Sequence, residues 1–414
     1  MNKIEKVIYD LVKTNPKLKN SIRDIYQGIL SIVPKDKKVS DFNIHEREGF
    51  FYGFHDKIPW SKDNTMLLAQ KYNIGDRDIK KEDEVEIGYF QGDDYTEFKS
   101  LCTTKSWNWT QGSMLQWIGE EDNIIFNFWN GDKNVARIID KKGNLIKELG
   151  YPIGAVDKAG KYALSYSFER LNVGMYGYGY ANENDSERDN PITRNSGLNL
   201  VDIEANTSNM LFSIDEIASL NPDDSMLGAY HFFTHCLFSP DGTRFFFLHR
   251  WYKKGKRLYS RMISSDLKGK SIHIFPTDGM VSHISWINND KVIAYCNTKP
   301  YGDGYFIFKD LSPDFWQVGQ DKYTSDGHPQ YCPINNLIVT DTYPDRFSVR
   351  ELSIYDYEEN EKTIIAKLWS PNSRKNHIRC DLHPRWDRYG SMICFDSAHT
   401  GKRALCTVKI SNGK

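Results

Sequence analysis

No apolar run in this chain approaches the roughly 18–20 residues that a membrane-spanning helix needs. The N-terminal stretch MNKIEKVIYDLVKTNPKLKN has neither an apolar core nor a small-residue cleavage site, so no secretory leader is predicted. A charge excess of one sign is also lacking: 54 basic residues face 55 acidic ones, for a net charge of −1. That balance argues against nucleic acid or an anionic membrane as partner, since both are held by clustered Lys and Arg. Cysteine is sparse and unpatterned. Cys102, Cys236, Cys296, Cys332, Cys380, Cys394 and Cys406 form no C-x-x-C pair, which speaks against a disulfide framework and for a cytoplasmic protein. The phosphate-binding GxxxxGK[ST], the dinucleotide GxGxxG after a strand, the zinc-protease HExxH and the nucleophile GxSxG are all missing. Helical periodicity is confined to residues 1–35, where Ile4, Val7, Ile8, Leu11 and Val12, and then Ile22, Ile25, Tyr26 and Ile29, recur at helix spacing before Pro34.

What is present is aromatic and β-forming. Hydrophobic residues make up 39% of the 414 and charged residues 26%, which suits a folded chain of two domains or one large repeat array. Aromatics reach 14%, a level that fits sheets and sugar-binding clefts better than helical bundles. After Pro34 the sequence becomes a series of short strand-like runs between turns: MLLAQKY, NIIFNFW, YALSYSF, RFFFLHR, KVIAYCN, NLIVTDTY and SMICFDS.

These runs belong to a repeat. His235-Cys-Leu-Phe238 precedes RFFFLHR, His283-Ile-Ser-Trp286 precedes KVIAYCN, His328-Pro-Gln-Tyr331 precedes NLIVTDTY, and His383-Pro-Arg-Trp386 precedes SMICFDS. Each has a His three residues before an aromatic, then a tight turn and a strand. The spacing matches one four-stranded propeller blade. Degenerate copies begin at Trp60, Trp117 and Val156, which makes seven units. The predicted fold is all-β: a seven-bladed β-propeller over 36–414, preceded by a short helical extension over 1–35. The last unit runs out of chain after three strands, so residues 36–50 are expected to supply its outer strand. The long stretch between Val156 and Phe238 is expected to be a loop on blade three, GMYGYGYA at 174–181 a flexible part of it, and KKGKR at 253–257 a solvated hairpin tip.

If each repeat histidine opens the innermost strand of its blade, then His235, His283, His328 and His383 point at one mouth of the central channel. Imidazoles in that register suit a divalent metal such as Mn, Fe, Ni, Cu or Zn, with Mn or Zn ahead of Ca. The plainer alternative is that each His bonds the backbone of a neighbouring blade. Asp326 and Asp381, two residues before His328 and His383, are candidates to orient the imidazoles or to join them as ligands. The segments after each second strand should open on the same face. They hold His249-Arg250-Trp251, Asp341 to Arg346, Asp396 to His399, and Phe168-Glu169-Arg170, with Tyr230 and His231 ahead of blade four. Arg, His, Tyr and Trp on one face suit an acidic sugar, since Arg pairs a carboxylate through two bonds and flat rings cover a sugar face.

The segments FFTHCLFSPDGTRFFFLHRW, DGMVSHISW, SDGHPQY, IVTDTYPD and RCDLHPRW…CFDSAHTGKR resemble the seven-bladed propeller polysaccharide lyases, namely the oligogalacturonate lyase and ulvan lyase-like families. The resemblance is best over 230–410 and looser over 50–180. It implies β-elimination on a uronate-containing oligo- or polysaccharide, with His235, His283, His328 and His383 holding the metal. It further implies that Arg170 neutralises the substrate carboxylate and that Tyr230, His231 or His249 moves protons. Blades two and three depart from the pattern, for Gln111 and Gly154 stand where a His and a Tyr would be sought. A non-catalytic glycan- or protein-binding propeller with a structural metal, or another glycan-modifying enzyme of cell-surface polysaccharide metabolism, is the alternative.

Overall fold

The computed structural model describes residues 21–22, 36–371 and 376–410. The helical extension expected over 1–35 therefore lies outside the described residues, two positions excepted. From residue 50 onward the chain forms seven antiparallel sheets in sequence order, spanning 50–104, 116–149, 155–213, 230–274, 281–318, 330–369 and 385–409. They are the blades of a seven-bladed propeller, numbered here in that order. Blade seven has only three strands of its own, Arg385–Trp386, Met392–Ser397 and Ala404–Lys409. Its fourth is Ile44–Glu48, paired antiparallel with the last of these, so both ends of the chain close the circle. The preceding residues Lys38–Val39 add a fifth strand to the edge of blade six, against Glu361–Trp369.

The central strands are apolar on both faces because each blade is covered on both sides by its neighbours. Arg244–Tyr252, read RFFFLHRWY, is buried at every position but its two ends. The core is accordingly a chain of inter-blade clusters. Phe246 and Met262 of blade four meet Val292 and Phe306 of blade five, and Ile293 and Tyr305 of blade five meet Ile338 and Tyr355 of blade six. Phe51 and Trp60 of blade one share a cluster with Cys394 and Leu405 of blade seven. All seven cysteines are free thiols. No helix among the described residues is long and apolar enough to cross a membrane.

The degenerate copy at Trp60 is a true repeat, and its turn shows it. In blade four Ser239 Oγ donates to Asp241 Oδ1 at 2.7 Å, and Asp241 accepts from the Thr243 amide at 3.0 Å. In blade one Ser61 Oγ donates to Asp63 Oδ1 at 2.7 Å, and Asp63 accepts from the Thr65 amide at 3.0 Å. The long insertion lies between the second and third strands of blade three, Tyr162–Ser165 and Gly197–Asp202, and contains the helix α1, Phe168–Gly174. KKGKR is the hairpin tip between Arg244–Tyr252 and Leu258–Asp266.

Candidate metal centre

Two bulges and two left-handed residues aim the repeat histidines. Strand register shifts between Thr234 and Leu237 in blade four and between Val281 and Ile284 in blade five. A bulge adds a residue to one strand and redirects its side chains, and His235 and His283 sit in these two. His328 and His383 lie two residues ahead of Gln330–Cys332 and Arg385–Trp386. His235 and His383 have φ of 51° and 43°, a conformation that non-glycine residues rarely adopt and that clusters at functional sites. The four imidazoles converge. Ring centroids are 3.8 Å apart for His283 and His328, 4.2 Å for His328 and His383, and 6.3 Å for His235 and His283.

Each ring is held through Nδ1. His283 Nδ1 donates to Asp326 Oδ1 at 3.1 Å, His328 Nδ1 to Asp341 Oδ1 at 2.7 Å, and His383 Nδ1 to the Gly53 carbonyl at 2.8 Å. His235 Nδ1 bonds the Thr234 hydroxyl. Carboxylates and carbonyls only accept, so three of the rings must carry their proton on Nδ1 and their lone pair on Nε2. Burial pushes the pKa of His235, His328 and His383 well down, with neighbouring cations adding to the effect, so these imidazoles are neutral. Nε2 of His383 is buried without a hydrogen-bond partner. Three imidazoles with Nδ1–H committed to an acceptor and Nε2 left as the donor, with His235 beside them, form a donor set that fits a divalent transition metal and suits calcium poorly, since calcium takes oxygen ligands.

Both carboxylates singled out in the sequence stand at the cluster, and Asp341 joins them. Asp326, two residues before His328, orients His283 of the previous blade. His328 is held by Asp341, which lies at the end of the second strand of blade six. Asp341 is fully buried and also accepts from the amides of His328 at 2.8 Å, Leu382 at 3.1 Å and His383 at 3.2 Å. Burial, followed by the charge of Asp381, pushes its carboxyl up to about 7, and the amides aimed at it work the other way. Asp381 lies with His328 and His383 in a group whose ligand atoms are all within 4.8 Å of one another. Burial would raise its pKa, but Arg379 and Arg350 outweigh that and hold it well below the usual carboxylate range. Arg379 meets it at 2.6 Å and Arg350 at 3.3 Å.

The structure does not bring Arg170, Tyr230, His231 or His249 to this cluster. Arg170 lies in α1 and is buried. Its guanidinium donates to the carbonyls of His231, Glu187, Asn190 and Pro191 and stacks 4.6 Å over Tyr230. Four of its five N–H donors are committed to backbone carbonyls, so the residue ties down the blade-three insertion. The Tyr230 hydroxyl donates to the Arg188 carbonyl of that insertion. His231 and His249 form a closed relay in the core of blade four. Arg261 Nε donates to His249 Nδ1 at 3.1 Å, His249 Nε2 meets His231 Nδ1 at 2.9 Å, and His231 Nε2 donates to the Met226 carbonyl at 3.1 Å. Every nitrogen is satisfied. Four residues of strand, roughly 13 Å, separate His231 from His235.

Other residues do reach the cluster. His55, from the connection between the first two strands of blade one, has its ring 5.4 Å from His328 and 5.9 Å from His283. Tyr343 stands 5.8 Å from both of those rings and carries Arg379 at 4.5 Å over its face. Arg250 Nε donates to Thr234 Oγ1 at 3.2 Å, beside His235, and its Nη2 to the carbonyls of Val281 at 3.3 Å and Ser282 at 3.4 Å, which leaves Nη1 without a protein acceptor and the guanidinium without a carboxylate partner among the described residues. Arg250 and Tyr343 lie in the second-strand segments singled out above. His55 escaped because it stands five residues, not three, before its aromatic, Trp60.

No protein-family profile matches the chain, and no curated protein matches it in sequence. Solved structures do match. An oligogalacturonate lyase from Vibrio parahaemolyticus superposes with a TM-score of 0.60 at 11% identity, covering 92% of this chain and 99% of that one. An oligogalacturonate lyase in complex with manganese gives 0.62 at 12% identity over the same shares. At such identity the likeness is one of fold.

Proposed function

We propose that this chain is a metal-dependent lyase that cleaves uronate-containing oligosaccharides by β-elimination, with its ion held by His235, His283, His328 and His383. The observation that carries this is the fixed tautomer: acceptors at Nδ1 of His283, His328 and His383 present three Nε2 lone pairs from neighbouring blades. A divalent ion bound there would polarise the uronate carboxylate and stabilise the charge that develops when the adjacent proton leaves. Besides the ion and a base that takes this proton, the elimination needs a partner for the carboxylate and an acid for the leaving oxygen, and this chain has residues for those two. Arg250, buried and without an acidic partner, pairs the substrate carboxylate in the role first expected of Arg170. Tyr343, whose phenol burial pushes well above its usual pKa, stays protonated and donates to the departing glycosidic oxygen. Seven free thiols are in keeping with a cytoplasmic enzyme acting on imported or internal oligosaccharides.

The oligogalacturonate lyase likeness supports the substrate class. A second reading draws on burial: the four histidines are only 1–8% exposed, and an aromatic cavity of about 420 Å³, lined by Trp107, Trp109, Tyr176 and His377, lies apart from them. On that reading the propeller binds a glycan at its aromatic cavity and keeps the metal for structure. Elemental analysis of protein purified without chelator, with the ultraviolet absorbance of unsaturated uronate products followed over a panel of acidic oligosaccharides, separates the two. Stoichiometric metal without product favours the binding protein, and absence of metal overturns both.

A further inference from the structure

We propose that His55 is a fifth imidazole ligand of the ion, standing in for the repeat histidine that blade one lacks; this rests on the metal-binding reading above. The equivalence of positions comes from a shared anchoring device. Asp341, ending the second strand of blade six, accepts the amides of Leu382 and His383, which lead into blade seven. Asp396, in the second strand of blade seven, accepts the amides of Tyr52 at 3.0 Å and Gly53 at 3.1 Å, which directly follow the first strand of blade one. Gly53 thus occupies the position of His383, and both have left-handed backbone, φ +126° and +43°. A side chain at Gly53 is excluded, since a Cβ there would lie 2.7 Å from the Gln111 carbonyl oxygen.

Two residues later His55 returns to the cluster. Its ring lies 5.4 Å from His328, 5.9 Å from His283 and 6.4 Å from His383, comparable with the 6.3 Å between His235 and His283. The backbone around it is pinned. The Phe54 carbonyl accepts from Arg385 Nε at 3.0 Å, and the His55 carbonyl accepts from Gln330 Nε2 at 2.9 Å. The imidazole itself is 1% exposed, and both of its nitrogens are buried with no hydrogen-bond partner. A buried ring with two orphaned nitrogens calls for a ligand, and a neighbouring ion satisfies one of them directly. Five imidazoles exceed the four ligands of a structural zinc site. They fit an ion that accepts five or six donors.

The test uses the full-length protein loaded with Co2+ alone. Each ligand imidazole contributes one exchangeable N–H proton signal displaced by the paramagnetic ion, so the spectrum counts ligating histidines. The wild type should show five such signals. His55→Phe, which keeps a ring of similar size, should show four and bind Co2+ at least about tenfold more weakly. Four signals in the wild type, or an unchanged count and affinity in His55→Phe, overturn the assignment while leaving the four-histidine site standing. A wild type that binds no Co2+ overturns both. Should His55→Phe fail to fold, the wild-type count alone decides.

Discussion

Asp341→Asn probes the residue that couples two of the proposed ligands. Oδ1 accepts from the His328 amide at 2.8 Å and His328 Nδ1 at 2.7 Å, while Oδ2 accepts from the amides of Leu382 and His383 at 3.1 and 3.2 Å. Asparagine has one oxygen, so its NH2 group must face one of these pairs of donors. Each buried donor left without an acceptor costs about 1–3 kcal/mol. Two such donors give roughly 2–6 kcal/mol, and partial retreat of the segment ahead of Arg385–Trp386 places the expected loss near ~3 kcal/mol. The assay is guanidinium unfolding of chelator-treated protein, in which no bound ion adds to stability. A Mn2+ titration of the same samples should show affinity lowered about 10–100-fold, the usual effect of releasing an oriented ligand. A variant with the wild-type unfolding midpoint and wild-type Mn2+ affinity would refute the claim that Asp341 organises His328 and His383.

Arg170→Ala removes donors to four backbone carbonyls and is expected to destabilise the fold by about 3 kcal/mol while leaving metal stoichiometry intact; loss of metal with unchanged stability would place Arg170 in the site after all. Glu169 is buried, and burial raises its carboxyl pKa, with the Asn134 side chain partly opposing at 2.6 Å. Its protonated form is therefore the one the fold favours. The associated stability is fully present below the unfolded value of about 4.3 and is lost as pH rises through the raised folded value. Glu169→Gln should accordingly flatten the rise in thermal midpoint on acidification over that window, and an unchanged pH profile would contradict the sign. Arg250→Lys should weaken binding of a uronate oligosaccharide by at least about tenfold with metal retained, because an ammonium cannot reproduce the planar fork; wild-type binding would free Arg250 from the role.

The fold was legible because its repeat is written twice, in apolar strand runs and in the turn chemistry between them. Even Trp60-Ser-Lys-Asp-Asn, with no histidine, closes the same Ser–Asp turn as Ser239-Pro-Asp-Gly. The closure by Ile44–Glu48 followed from counting strands in the last unit. The convergence of four histidines was legible for the same reason, since equal spacing in a propeller becomes adjacency at its axis. Their partners were legible only in part: Asp326 was singled out and does hold His283, but which residue holds which ring was not, because contacts run across blades, Asp341 reaching forward to His383 and Gly53 accepting from His383. Arg170 was misplaced for a different reason. Polar residues after a strand on the mouth face can face inward to hold a long insertion as readily as outward to meet a ligand, and only the carbonyls of residues 187–191 distinguish the two.

The cluster draws on an unbroken arc of the propeller. Blades four to seven each contribute one repeat histidine, and the connection between the first two strands of blade one adds His55. Blades two and three contribute none, yet the same positions in their neighbours still carry polar second-strand residues that pin the next blade. Gln70 Oε1 accepts the Ser113 amide at 2.9 Å, and Asn127 bonds both the amide and carbonyl of Ile153 at 2.8 and 2.9 Å. The anchoring device thus runs further around the circle than the metal-binding chemistry. Over the arc without histidines lies the blade-three insertion. Asn108 Nδ2 donates to the Tyr178 carbonyl at 2.9 Å, and the Tyr178 phenol is raised in pKa by burial, with Arg379, Asp381 and Arg250 as its charged neighbours. The insertion therefore reaches over the side that the histidines leave open and brings an aromatic hydroxyl near Arg250 and Arg379, two of the arginines around the histidine cluster.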